Sequence, residues 1–241
     1  MIPVLKRELV GFFKNPAAYL ILTIYAFLSG LFFCLSVVLA DTSYLGELFG
    51  LYLFFVEIIV VAALSMRFFS EEKKNRTDQL LYTTPVSISG IVFGKFLGGM
   101  TVYAACTAIN LVYIFIVAMF GTPDVGMNIS NLVGTMLLGA CMVSVALLMS
   151  SLTENGIVAA ISTVGVYILL FLADVVASFL YALLPSWLTW LADGLTKLNL
   201  FQWYANFEGG ILRLDAVVFY LSFTAVFLFL TARVIERRRW R

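Results

Sequence analysis

Residues 16–40 contain no Asp, Glu, Lys or Arg, and few folds accept such a segment. Residues 48–66, 96–120, 129–150, 156–181 and 216–234 resemble it, with Glu57, Asp174 and Arg233 as their only charges. A helix of about 20 apolar residues crosses a hydrocarbon core of ~30 Å. Inside that core no water satisfies backbone groups, so the segment must pair its own N–H and C=O groups as a helix. Six such runs in 241 residues leave almost no chain for a soluble domain. Charged residues make up 12% of the chain, about half the ~25% of an ordinary soluble domain. The expectation is an all-α membrane protein: a single domain over residues 1–241 with six transmembrane helices set in the lipid bilayer. The first run is too long for the core of a secretory signal and lacks a small-residue cleavage site, so it reads as a retained span.

Lys and Arg set the orientation. Lys6, Arg7 and Lys14 precede the first run, and Arg67, Lys73, Lys74, Arg76 and Lys95 flank the second connection. Arg233, Arg237, Arg238, Arg239 and Arg241 close the chain. With an even number of spans these all lie on one side, and of the 15 Lys and Arg only Lys197 and Arg213 lie opposite. The positive-inside rule then places both termini in the cytoplasm.

The composition also disfavours several chemistries. The chain has no histidine, the commonest general base and metal ligand. Cys34, Cys106 and Cys141 each stand alone within an apolar run, without C-x-x-C spacing, and read as small buried hydrophobes. Gly90-Ile91-Val92-Phe93-Gly94-Lys95-Phe96 has the outline of a P-loop. One residue too few separates its glycines, and Phe96 stands where a Ser or Thr would hold Mg²⁺. No catalytic residue, metal site, cofactor or nucleic-acid partner is expected in this chain.

Two segments outside the spans are amphipathic. In residues 1–15, Ile2, Leu5, Leu9, Phe12 and Phe13 recur at helical spacing, with Arg7, Glu8 and Lys14 on the other side. This predicts an interfacial helix in the cytoplasmic headgroup layer, ending near Pro16. In residues 182–210, Pro185 breaks the chain, Ser186 can cap a new helix, and Gly194 and Gly209-Gly210 punctuate the remainder of the segment. Trp187, Trp190 and Trp203 suit two short external helices at the outer interface, either a plain anchor or a lid over a pathway.

Glu57 and Asp174 lie within predicted spans, Glu57 near the middle of the second and Asp174 in the outer third of the fifth. An ionised carboxylate at mid-membrane costs about 2.5–3.5 kcal/mol on insertion scales, so such groups face protein or a wet cavity. They are candidates for a substrate path or an interface; bonding to hydroxyls and amides of neighbouring helices is the alternative.

The densest polarity is "SEEKKNRTDQLLYTTPVSISG", residues 70–90. Ser70 can cap a helix, Glu71 and Glu72 fall in its first turn where acids favour the dipole, and Glu72 and Arg76 stand at i,i+4. Thr77, Leu80, Leu81 and Thr84 share one face, and Pro85 stops the helix. The pattern predicts one short amphipathic helix over 70–84, between the second and third spans. A connector that only satisfied the positive-inside rule would need the lysines, but neither the acids nor the Leu80-Leu81 ridge.

Residues 71–99, "EEKKNRTDQLLYTTPVSISGIVFGKFLGG", resemble the segment after the second span in ABC-2-type permeases, nearest the branch with gliding-motility and copper-enzyme-maturation permeases. The resemblance rests on Glu71, Glu72, Thr77, Leu80, Leu81, Pro85, Val86, Ser87, Gly94 and Lys95; Arg76 stands where many members carry Gly. It implies that 70–84 is a coupling helix that docks on a separate cytoplasmic ATPase. Glu71, Glu72, Thr77, Leu80, Leu81 and Pro85 would then carry the coupling. It further implies two ATPase copies that bind ATP and Mg²⁺, a second copy of this chain or a related permease, and a bacterial cytoplasmic membrane. A membrane-anchored extracytoplasmic auxiliary protein accompanies some relatives. The function so implied is the permease subunit of an ATP-driven exporter. The rivals are an ATP-driven assembly that acts mechanically on such a partner, a proton-coupled secondary transporter using Glu57 or Asp174, and, least favoured, a membrane enzyme.

Overall fold

The computed structural model describes residues 2–39, 45–46, 48–77, 87–121, 124–183 and 189–239. The first helix, α1 (Ile2–Lys14), ends where Asn15 begins the next: its side-chain oxygen accepts from the Ala17 N–H at 3.1 Å, with Pro16 in the first turn. That is the preferred chemistry of a helix start. Helix α2 (Pro16–Phe33) runs on into a π-helical turn, Cys34–Val38. A second π-helical turn, Leu48–Tyr52, leads into α3 (Leu53–Ser65), and a turn brings the chain to the five-residue α4 (Ser70–Lys74). The long helices α5 (Ile88–Phe120) and α6 (Val125–Leu152) come next, then α7 (Gly156–Phe171) and α8 (Ala173–Leu183). Two short helices, α9 (Thr189–Lys197) and α10 (Leu200–Glu208), precede α11 (Leu214–Arg239).

Among the described residues, five helical stretches are long and apolar enough to cross a membrane, and a sixth results if α7 and α8 count as one span bent by 53°. The fifth apolar run of the sequence is thus two helices. Asp174 opens the second, and its carboxylate accepts from the side-chain amide of Asn199, which also caps α10 through the Phe201 N–H. The bend is therefore tied to the short helices beyond it.

Hydrogen bonds and close packing hold the spans together, since lipid supplies no hydrophobic drive between them. On α2, the Tyr25 hydroxyl meets the Asn110 side-chain oxygen at 3.1 Å and Ser29 meets the Tyr113 hydroxyl at 2.8 Å, both buried against α5. Bonds of this kind average about 0.6 kcal/mol in membranes. On α6, Gly134 and Gly139 leave room for aromatic rings: a Cβ at Gly139 would lie 2.0 Å from the Tyr103 ring, and one at Gly134 would lie 2.8 Å from Phe207. Helix α6 touches α3, α5, α7, α10 and α11 and forms the centre of the bundle. Cys106 and Cys141 are buried and free, whereas Cys34 is exposed, so only two of the three are the buried hydrophobes that the sequence predicts.

Helix α1 lies against the start of α5. Gly94 and Gly98, one turn apart, receive it: a Cβ at Gly94 would meet Val4 at 3.0 Å, and one at Gly98 would meet Glu8 at 2.9 Å. The P-loop-like run from Gly90 to Phe96 lies inside α5. Its second glycine serves helix packing, in the small-xxx-small spacing common where helices approach closely.

Candidate functional site

The polar stretch after α3 starts as its composition predicts and then departs from it. Glu71 and Glu72 occupy the first turn of α4 and Lys73 and Lys74 the last, each sign favouring its end of the dipole. The helix stops there. Asn75 caps its C-terminus and Arg76 takes φ +56°, the left-handed conformation that glycine adopts at helix ends without steric cost. The continuous helix expected over 70–84 is therefore interrupted after Lys74. Leu80, Leu81 and Pro85 lie outside the described residues, as does Thr84. Thr77 remains tied to the end of α4: its N–H and its hydroxyl both donate to the Glu72 carbonyl, at 2.9 and 3.2 Å.

Ser70 does not cap α4; that position is Phe69, whose side chain has no polar group. The Ser70 hydroxyl instead donates back to the Met66 carbonyl at 2.9 Å. The cap comes from α6, where the Ser150 hydroxyl accepts from the Phe69 and Ser70 N–H groups at 2.9 and 3.0 Å. Lys73 returns the service. Its ammonium donates to the Ser151 carbonyl and, at 3.3 Å, to the Thr153 carbonyl, satisfying the open C-terminal end of α6. Lys73 is accordingly buried rather than the solvated charge that the positive-inside pattern suggested.

Glu72 does not pair with Arg76 at i,i+4. It belongs to an ion network centred on Lys95, which is 1% exposed. The Lys95 ammonium lies 3.0 Å from Glu8, 3.0 Å from Glu72 and 3.1 Å from the Phe68 carbonyl, with the Phe69 ring 5.1 Å away. Arg7 closes the network from the solvent side, 2.8 Å from Glu72 and 3.2 Å from Glu8. Glu8 was expected on the polar face of α1; its side chain is 10% exposed and turned toward α5. Arg67 lies 3.5 Å from the exposed Glu71 carboxylate, and its guanidinium sits 5.1 Å over the Phe12 ring. A charge this buried persists only when paired and fully hydrogen-bonded. The network thus fixes α1, α4 and α5 to one another. Because α5 has 33 residues, about 50 Å at 1.5 Å each, it overruns a ~30 Å core. Lys95, two turns from its start, stands near the membrane surface.

The other predicted residues lie elsewhere. Glu57 is 1% exposed, hydrogen-bonded to Tyr103, and its Oε2 has no partner among the described residues. Tyr103 continues to the Thr135 carbonyl at 3.1 Å, and the Thr135 hydroxyl continues to Tyr204 at 3.2 Å. Glu57 therefore faces the interior of its own chain. Asp174 is at the α7–α8 bend, separate from Glu57. Trp190 is exposed, while Trp203 stacks on Phe219 at 4.9 Å and donates to the Lys197 carbonyl at 2.9 Å. Trp187 lies outside the described residues. No group of three or more His, Cys, Asp or Glu among the described residues is arranged to hold a metal.

A family model described as ABC-2 family transporter protein matches residues 39–230, which include this polar segment and the spans on either side of it. The chain belongs to that family. It is thus a permease component of an ABC transporter, a multi-pass membrane protein that works with an ABC ATPase subunit. No curated protein matches the permease. The matched region contains α4 and Lys95 but not α1, so Arg7 and Glu8 enter the network from outside it.

Lys95 was legible in the sequence only as a positive-inside charge and a motif position, and the network roles of Arg7, Glu8 and Ser150 were not. A lone lysine between two glycines one turn apart, at the edge of an apolar run, is the signal that marks such a hub. It says that something packs closely there and that the charge must find partners on it.

Proposed function

We propose that the permease is the membrane subunit of an ATP-driven exporter of a bacterial plasma membrane, with both termini cytoplasmic. Two copies, or one copy and a related permease, act with two copies of a separate ATPase that bind ATP and Mg²⁺. The segment that begins at α4 docks on that ATPase through Leu80 and Leu81, with Glu71, Glu72, Thr77 and Pro85 shaping it. The observation that carries this reading is the ion network on Lys95. A segment that only connected two spans would need no buried lysine binding it to both α1 and α5; one that must deliver a load to spanning helices does.

The test is co-purification of the ATPase with permease variants. A buried anchor at the centre of an interface is worth at least about 2 kcal/mol, or roughly thirtyfold in affinity. Leu80→Asp with Leu81→Asp keeps the segment polar, so insertion is expected to be normal and ATPase recovery to collapse. Thr77→Pro removes the N–H bonded to the Glu72 carbonyl and restricts Arg76, with the same expected loss. Recovery of the ATPase at the wild-type ratio from both variants would reduce residues 70–90 to a charged connector.

A further inference from the structure

An open pocket of about 190 Å³ lies between α1 and the chain around α4, lined by Arg7, Glu8, Gly11, Phe12, Arg67 and Glu72. Gly11 is the residue of that wall whose smallness its own chain does not use. A glycine inside a helix lowers its stability, and Gly94, Gly98, Gly134 and Gly139 each admit a neighbour's side chain in return. At Gly11 an added Cβ would have no atom within 4 Å. The same holds at Gly165 and Gly194, but neither of those lines this pocket. A missing side chain on the floor of an open cleft leaves room for the backbone of something outside the chain.

Position and charge narrow what that is. The exposed apolar side chains of α1, Val10 and Phe13, stand with Lys6 on another face of the helix, the combination that suits a headgroup layer. Phe13 points about 160° away from Gly11 at 3.6 residues per turn, so the pocket faces away from lipid and toward α4. Glu72 in its wall accepts from Thr77 through its carbonyl, which makes the pocket continuous with the segment beyond α4. Arg7 is half exposed, and only its Nη2 is bonded among the described residues, to Glu8 and Glu72. Three of its five N–H donors therefore remain open to an acceptor. Arg7, Arg67 and the buried Lys95 behind them outnumber Glu8 and Glu72, so the pocket favours an acid.

We infer that the pocket is a second seat for the ATPase: an ATPase loop packs its backbone on Gly11 and sets a carboxylate against Arg7. This seat presupposes the docking of the α4 segment proposed above and extends the contact to α1, which lies outside the region matched by the family model. Because Arg7 also holds Glu72 at 2.8 Å, a load on the seat enters the same ion network as a load on the docking segment.

The test is photocrosslinking in the full permease–ATPase complex. Single cysteines at 11, 13 and 80, in a background lacking Cys34, Cys106 and Cys141, each carry a benzophenone. A product joining permease to ATPase is expected from 11 and 80 and not from 13. A product from 80 without one from 11 overturns the inference and leaves the docking of the α4 segment standing; a product from neither overturns both. A product from 13 as abundant as that from 11, or attachment at 11 to lipid or to a second permease copy alone, also overturns it. Titration of the ATPase against permease variants gives a second measurement. Gly11→Leu fills the pocket floor without touching an ion pair. It is expected to melt like wild type and to bind the ATPase about tenfold more weakly, the ratio for one misfitted side chain in a packed contact. Arg7→Gln leaves Lys95 to hold both glutamates, and is expected to weaken binding and make it less sensitive to salt. Wild-type affinity in Gly11→Leu, or an unchanged salt response in Arg7→Gln, overturns the inference.

Discussion

An ammonium group has three N–H donors, and at Lys95 three oxygens receive them: Glu8, Glu72 and the Phe68 carbonyl. That balance explains how a lysine that is 1% exposed is accommodated at the membrane edge, and it sets the cost of removal. Lys95→Met leaves two carboxylates facing each other with Arg7, half exposed, as their remaining partner. Breaking a buried pair costs about 3–5 kcal/mol, and the partial exposure of the acids places this one near the lower end. The measurement is thermal unfolding of the purified chain in detergent, where Lys95→Met is expected to melt well below wild type and Glu72→Gln in the same chain to restore part of the loss. Wild-type melting of Lys95→Met would show the network to be ornamental. Glu57 presents a different case, an acid enclosed by its own chain with Tyr103 as its hydrogen-bond partner. Glu57→Gln keeps the shape and a hydrogen-bonding group, and is expected to alter ATP-driven activity while the assembled complex is recovered in full. A shift in melting temperature with unchanged activity per folded complex would remove Glu57 from the functional set.

Helix α4 illustrates what a sequence conveys about an element and what it withholds. Its start is written in its acids and lysines. Its end depends on backbone conformation at Arg76, a bulky residue held in the left-handed region where glycine is at home. A left-handed non-glycine residue costs about 1–2 kcal/mol, so Arg76→Gly is expected to stabilise the folded chain by about 1 kcal/mol, less the entropy glycine loses on folding. Denaturant titration of the purified variant checks it; a destabilisation would mean that the arginine side chain holds the turn. For α1, periodicity is enough to predict a helix but not the burial of Glu8. The partner that turns Glu8 inward, Lys95, is 87 residues away, and such a pair leaves no local trace. The pair Gly94 and Gly98 was visible, but its P-loop outline drew attention to nucleotide chemistry rather than to the helix that packs on it.

Across the whole molecule, the spans were legible because membrane crossing imposes length and apolarity on every segment. The 53° bend between α7 and α8 was not, because it depends on how Asp174 meets Asn199 and no proline marks it. Cysteine labelling reads the orientation, and the buried state of Lys73 moves the labelled position to its exposed neighbours. Lys74 and Asn75 are exposed, as are Asp124 and Lys197 at the other end of the bundle. In a background lacking Cys34, Cys106 and Cys141, single cysteines at 74 and 75 are expected to resist an impermeant thiol reagent on intact cells, while cysteines at 124 and 197 react. Reaction at 74 and protection at 197 would invert the scheme.

The reciprocal caps between α4 and α6 have a mechanical consequence. A purely apolar contact resists separation but lets its partners slide and rotate. Here Ser150 grips the first turn of α4, and Lys73 grips the last turn of α6. Two directional attachments spaced along one short rod fix its angle as well as its distance. Torque applied beyond Asn75 would therefore reach α6 as rotation, not be lost as slippage. Since α6 touches five helices besides α4, a rotation passed to it would reach the centre of the bundle.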